Sequence, residues 1–236
     1  MGMKKIPSVG DTIKFGPYEW LVLDKKGPDM LLLAKDVVAN RPYHDRYEPV
    51  TWETSSIRAW LNGPFLENFS ETQRRAMRPT ELVNLKNPDY PLTNGGEKTV
   101  DTVFLLSVGE VKTKQEKEKD KPREKEKLKD KTKDDVREES YIASVKDRMA
   151  EPTEEAKQQG IWVGQDGHSD WWLRTPGQTN NDAAKVFHCG YINLVGYYVG
   201  GDDPKLTYGV GIRVSNACGV RPAVWVEAGR WARMKN

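Results

Sequence analysis

The chain of 236 residues carries 37 Lys or Arg against 35 Asp or Glu, a formal charge of +2, and is 31% charged and 37% hydrophobic. So small a net charge gives no global field that would draw in nucleic acid or an anionic membrane surface. The longest apolar runs, such as Met30 to Ala34 and Val103 to Leu106, fall far short of the roughly 20 residues that a spanning helix needs, and Met1 to Ser8 has lysines with no apolar run behind them, unlike a secretory signal.

Thr12–Phe15 and Glu19–Leu23 read as strands separated by Gly16-Pro17. A turn at Lys26-Gly27-Pro28-Asp29 leads to Met30–Ala34, apolar on both faces, so the three segments form a small antiparallel meander. His44-Asp45 follows Arg41-Pro42-Tyr43, a polar loop with no nucleophile tied to it by any motif. Thr54, Ser55 and Ser56 offer capping oxygens ahead of Ile57, Trp60 and Leu61, whose spacing places them on one face of a short helix. Gly63-Pro64 ends that helix. Ser70-Glu71-Thr72-Gln73 has the form of a capping box, so a second short helix is expected from there to Arg78-Pro79. Val100–Val108 reads as a buried strand.

Residues 111 to 140 are a different material. Twelve Lys or Arg stand there against ten Asp or Glu, an excess of two that equals the formal charge of the whole chain. The only apolar residues are Val111, Leu128 and Val136, too few for a buried stripe, so the segment is an exposed helical or disordered insertion, with a solvated helix expected after Pro122. A nucleic-acid arm is disfavoured because its carboxylates repel phosphate as its lysines attract it. The insertion is decoration on one domain spanning 1–236.

A helix start is expected at Glu151–Lys157. Beyond it Val186, Tyr191-Ile192, Tyr198-Val199, Val210–Val214 and Ala223–Val226 alternate with Gly and Asn, as short antiparallel strands joined by tight turns do. Short helices around antiparallel sheets give an α+β class.

The segment 171–225 carries the functional signal. Trp171-Trp172-Leu173-Arg174-Thr175-Pro176 and Gly219-Val220-Arg221-Pro222-Ala223-Val224-Trp225 enclose a stretch crowded with Asn, Gly and Tyr. Tyr and Trp give large rigid contact areas, while Asn, Ser and Gly give adaptable hydrogen bonds, the palette of antibody-like paratopes. Trp171, Trp172 and Trp225 are expected in the core, with Arg174 and Arg221 tying loops through charge-assisted hydrogen bonds. The ligand-facing set is His188, Tyr191, Asn193, Tyr197, Tyr198 and Asn216, the tyrosines as anchors and the asparagines at the rim. Alternation along a strand turns about half of such tyrosines inward, which leaves Tyr191 and Tyr198 open between surface and core.

No catalytic residue, cofactor or metal is assigned. Cys189 and Cys218 lack any Cys-x-x-Cys or Cys/His spacing and are either two unpaired thiols or one bridge closing the segment. His168 follows a turn at Gly164-Gln165-Asp166-Gly167, and Gly209-Val210-Gly211 lacks the helix and lysine of a phosphate loop.

Glu19-Trp20-Leu21-Val22-Leu23-Asp24, then Thr51 to Asn62 (T-W-E-T-S-S-I-R-A-W-L-N), then Asp101 to Ser107 (D-T-V-F-L-L-S), then the two bookends, occur in an order that resembles a bacterial and phage family of largely uncharacterised domains with a C-type-lectin-like fold. The resemblance covers nearly all of the chain outside the insertion. It is similar, too, to the variable target proteins of diversity-generating retroelements, in which C-terminal codons are rewritten on a rigid lectin-like scaffold. Asn180, Asn181, Asn193 and Asn216 suit such rewriting. The resemblance implies a non-enzymatic recognition protein binding a protein or glycan, with 171–225 as its variable region. It departs from calcium-dependent lectins: neither an E-P-N or Q-P-D triplet nor a W-N-D is present, and Asp202-Asp203-Pro204 is no substitute. Two alternatives stand beside it. One is a formylglycine-generating-enzyme-like oxidase using Cys189 and Cys218. The other is a structural component of a phage or cell-surface apparatus. A soluble protein is expected, cytoplasmic or displayed in such an assembly.

Overall fold

A computed structural model describes residues 4–120, 139–196 and 217–234. The expected meander opens it: β1 (Thr12–Phe15), β2 (Tyr18–Lys26) and β3 (Asp29–Ala34) pair antiparallel in sequence. Gly16, at φ +62°, makes the first turn possible. The chain continues through β4 (Ala39–Pro42), α1 (Ser56–Leu61), a 3-10 turn at Pro64–Asn68, α2 (Glu71–Arg74), β5 (Met77–Arg78), β6 (Thr80–Leu82), β7 (Thr99–Asp101) and β8 (Val103–Phe104). Then come α3 (Val108–Val111), α4 (Lys114–Lys119), a 3-10 turn at Val145–Arg148, α5 (Glu154–Gln158), β9 (Trp171–Pro176), β10 (Ala183–Val186), β11 (Ile192–Asn193), β12 (Ala217–Val220), β13 (Ala223–Glu227) and α6 (Ala228–Arg233).

Two larger sheets carry the fold. The first runs β1-β2-β3-β13-β5, with β8 also on β13; the second runs β11-β10-β9-β12-β4; β6 and β7 form a separate pair. Among the described residues the named strands all pair antiparallel except β12 with β9, so the α+β class with mainly antiparallel sheets and short helices holds. Among the described residues no helix is long and apolar enough to cross a membrane.

The core is aromatic where the meander meets the first helices. Phe15, Trp20, Phe65 and Phe69 are buried, and Tyr18 stacks on Phe65 with centroids 5.5 Å apart. Rings in offset and edge contact bury large areas and add directional attraction. Ser55 caps α1, as its hydroxyl accepts from the Arg58 amide. Asp101 then draws three segments together: it accepts from Trp52 Nε1 at 2.8 Å, Arg58 Nε at 2.7 Å and Thr99 Oγ1 at 2.8 Å. Asn62 completes the join by accepting from the Thr102 amide at 2.8 Å.

The two arginines of the bookends are corners, as expected. Arg174 is 3% exposed, pairs with the Glu110 carboxylate and donates to the Leu105 carbonyl at 3.0 Å. Glu110 is itself fixed, since its carboxylate accepts from the Ser107 amide in the capping box of α3. Arg221, 2% exposed, donates to the carbonyls of Ala34, Asp147, Arg148 and Lys35. Burial pulls it down to about 10, still a cation at neutral pH. Trp171 and Trp172 are fully buried, and Trp225 is 7% exposed.

Three elements differ from the sequence reading. The second helix stops at Arg74 rather than near Pro79, because Met77 and Arg78 are taken up as a strand against Val226 and Trp225. The expected strand 100–108 is divided: β7 pairs with β6, β8 pairs with β13, and Val100 is 64% exposed between buried neighbours. Beyond the insertion the cap is Thr153, and Pro152 makes a bridge with Val37 instead of opening a helix. Strands expected at Tyr198-Val199 and Val210–Val214, and the helix after Pro122, lie outside the described residues.

Candidate functional site

The second sheet ends in a cleft of about 450 Å³ lined by Asn40, Ile161, Trp162, Asp170, Lys185, Phe187, His188, Ala217, Cys218 and Gly219. Each wall has a local cause. Asn40 leaves β4 locked to the end of α5, its amide donating to Gln159 Oε1 at 2.8 Å and its Nδ2 to the Gln159 carbonyl at 3.0 Å. That fixes where the chain exits toward Ile161 and Trp162. Gly219 lies so close to the Asp170 carbonyl that a Cβ would stand 2.3 Å from it. Only glycine allows β12 to approach β9 here.

The floor is an ion pair. Lys185 comes up from β10 and pairs with the Asp170 carboxylate, with side chains 5% and 16% exposed. Its ammonium lies 4.5 Å from the Phe187 ring centroid, so the ring face adds to the cation's stabilisation. Asp170 is held in turn by the His188 backbone amide at 2.8 Å. The charge of Lys185 is therefore neutralised inside the cleft, which suits an uncharged ligand better than an anion.

The rim is polar and aromatic. His188 sets Nδ1 at 3.0 and 3.1 Å from the Asp166 carboxylate oxygens, and its ring lies edge-on to Trp162 with centroids 5.0 Å apart. The hydrogen bond from His188 holds Asp166 below the usual aspartate range. Trp162 is 59% exposed and Tyr191 is 65% exposed, and Tyr191 stacks on Phe187 at 6.2 Å.

Of the residues expected to face a ligand, His188 lines the cleft and Tyr191 stands exposed beside it. Asn193 does something else: it is 5% exposed, and its Oδ1 accepts from the Gly196 amide at 3.0 Å, which closes a turn. It is not among the walls of the cleft, and its amide oxygen is taken up by backbone. Asn180 likewise serves the scaffold, donating to the Asn94 carbonyl at 2.7 Å and accepting from the Asn94 amide at 2.9 Å. Tyr197, Tyr198 and Asn216 lie outside the described residues. Trp162, Asp170 and Lys185 were missed; the exposed indole just before a Gly-Gln-Asp-Gly turn was the signal in the sequence.

Cys189 and Cys218 are free thiols, the first exposed and the second buried. Burial pushes Cys218 up to about 12, so at neutral pH it stays protonated and weakly nucleophilic. His44 proves structural: its Nδ1 accepts from the Ser56 amide at 3.2 Å at the start of α1. Among the described residues no group of three or more His, Cys, Asp or Glu is arranged to hold a metal ion. Larger openings exist, about 970 Å³ beside α4 and about 510 Å³ around Arg78. In the latter the charges satisfy one another, Arg78 with Asp29 and Glu227, Lys26 with Glu139.

No curated protein and no solved structure matches the chain. A family model described as a domain of unknown function, DUF6273, matches residues 28–228, a span that holds both arginine corners and every wall of the cleft, and the chain belongs to that family.

Proposed function

We propose that this protein is a non-enzymatic recognition module of C-type-lectin-like architecture, whose cleft between Trp162, Phe187 and His188 binds an uncharged part of a protein or glycan. The observation that carries this reading is the pairing of a buried frame, tied at Arg174 and Arg221, with exposed aromatic groups at one opening. Trp162 and Tyr191 stand out from a surface whose neighbouring indoles, Trp171 and Trp172, are fully buried. Large aromatic anchors around a mostly apolar hollow with a few placed polar groups are what ligand sites are made of. The protonated state of Cys218 favours recognition over a thiol-based oxidase.

The scaffold roles of Asn180 and Asn193 narrow the part of a variable region that can change to exposed positions such as Tyr191. A neighbouring reverse transcriptase gene, with an imperfect repeat of the codons for residues 178 to 219 differing only at adenines, supports the retroelement relationship; its absence removes it. Binding is tested by screening the protein against a glycan array and a displayed peptide library, then repeating each hit with Trp162→Ala and Tyr191→Ala. Lost binding at an unchanged melting temperature supports the cleft. Hits that both variants retain, or no hit in either collection, overturn it.

A further inference from the structure

The charged insertion is fastened to the domain at its root. Thr113 caps α4 in a capping box with Glu116, and the Glu116 carboxylate is turned inward onto Arg148. Arg148 donates to it through Nη1 at 2.8 Å and Nη2 at 2.9 Å, while its own side chain is 2% exposed. This grip draws Glu116 down to about 2. The same guanidinium donates from Nη1 to the Val111 carbonyl at 3.0 Å and from Nε to the Gly190 carbonyl at 2.7 Å.

Gly190 belongs to the turn that carries the cleft's Phe187 and His188. The turn is closed by its own backbone, Gly190 amide to Phe187 carbonyl and Phe187 amide to Tyr191 carbonyl, both at 2.8 Å. It also packs tightly on the 3-10 turn of Arg148: a Cβ on Gly190, which has φ +81°, would lie 2.7 Å from the Val145 carbonyl. One planar, rigid fork of donors thus holds α4 on one side and the cleft turn on the other. A lysine, a point charge on a flexible stem, cannot satisfy both geometries at once.

We propose that Arg148 is a positioning residue of the cleft, through which the placement of α4 at the root of the insertion sets the order of the Phe187–Tyr191 turn. Its meaning for ligand binding rests on the cleft reading above; the mechanical link does not. When α4 is displaced, a buried guanidinium loses its counter-ion and must reorient toward another acceptor or water, and Nε is carried away from the Gly190 carbonyl. The binding turn then keeps its two backbone hydrogen bonds and the ties of His188 to Asp170 and Asp166, but loses its bond to the 3-10 turn of Arg148.

The test is amide hydrogen exchange, residue by residue, on the full chain without ligand, so a failed recognition reading cannot be confused with a failed link. In Glu116→Ala, exchange at the Phe187 and Gly190 amides is expected to accelerate about tenfold. Amides of β3 and β13 should keep their rates. Glu116→Gln, which retains one acceptor without the charge, should fall between, and Arg148→Lys should resemble Glu116→Ala. Glu81→Ala, which breaks an exposed pair with Lys98, should change neither amide. The proposal is overturned if Glu116→Ala speeds only α4, or if it speeds both sheets as much as the turn. Should Arg148→Lys fail to fold, the two Glu116 variants still decide.

Discussion

Trp171 and Trp162 are the same side chain in neighbouring parts of the sequence, put to opposite uses. Trp171 begins β9 in the middle of the second sheet, fully buried, with its indole N–H donating to the Arg148 carbonyl at 2.8 Å and the Arg221 guanidinium 5.2 Å from its ring. Trp162 sits in the loop before that strand, more than half exposed, and its neighbour is the edge of His188. What separates them is packing: every residue of β9 is buried, so both faces of that strand are covered, whereas a loop residue is covered only by what packs on it. The frame and the rim are therefore independent enough to be altered one at a time.

The largest effect should come from the frame. Arg174→Ala strands the carboxylate of Glu110, itself 7% exposed, and should cost about 3–5 kcal/mol, read as a lower urea midpoint. A loss under about 1 kcal/mol, the scale of an exposed pair, would mean that the corner is not load-sharing. Trp171→Ala should cost about 3–5 kcal/mol through its cavity, whereas Trp162→Ala should stay within about 0.5 kcal/mol. Equal losses in the two would erase the distinction between frame and rim.

A finer contrast lies within the turn region itself. Asn193→Ala removes the acceptor for the Gly196 amide and should cost about 1 kcal/mol, while Tyr191→Ala, exposed as it is, should cost less than about 0.5 kcal/mol. A separate contrast appears in acid. Glu116 and Asp166 both have folded-state values below their ordinary ones, so each contributes stability that is complete above the ordinary value and is lost as pH falls through the lowered one. For Glu116 that window runs from 4.5 down to about 2. For Asp166 it begins at 3.8. Carboxyl carbon shifts followed by NMR should show both groups titrating below their ordinary values; a Glu116 that titrates near 4.5 would mean that Arg148 does not grip it.

Much of the frame was legible in the sequence because it rests on local chemistry. The meander followed from apolar runs broken by Gly16 and Gly27, the α1 cap from Ser55, the box from Ser70 and Gln73, and the corners from arginines set among apolar residues. The errors came where distant segments decide. Nothing near Met77 announces that β13 will take it as a neighbour, and nothing near Asn193 announces that Gly196 needs an acceptor. The cleft was half legible: His188 and Tyr191 were in view, but Asp170, Lys185 and Trp162 meet them only through β10, β12 and the loop after α5.

The position of β13 has a consequence for how the molecule comes together. This strand lies between β3 on one side and β5 and β8 on the other, yet among the described residues it is the last strand in sequence. During synthesis the meander can assemble early, but its outer ladder of amides and carbonyls must wait for Ala223–Glu227 to leave the ribosome. Until then β3 is an open margin, apolar from Met30 to Ala34, the kind that recruits strands from other chains. Fast elongation through the insertion, or a chaperone that shields Met30 to Ala34, would shorten that hazard, so growing chains halted before Ala223 should be the form most prone to aggregate.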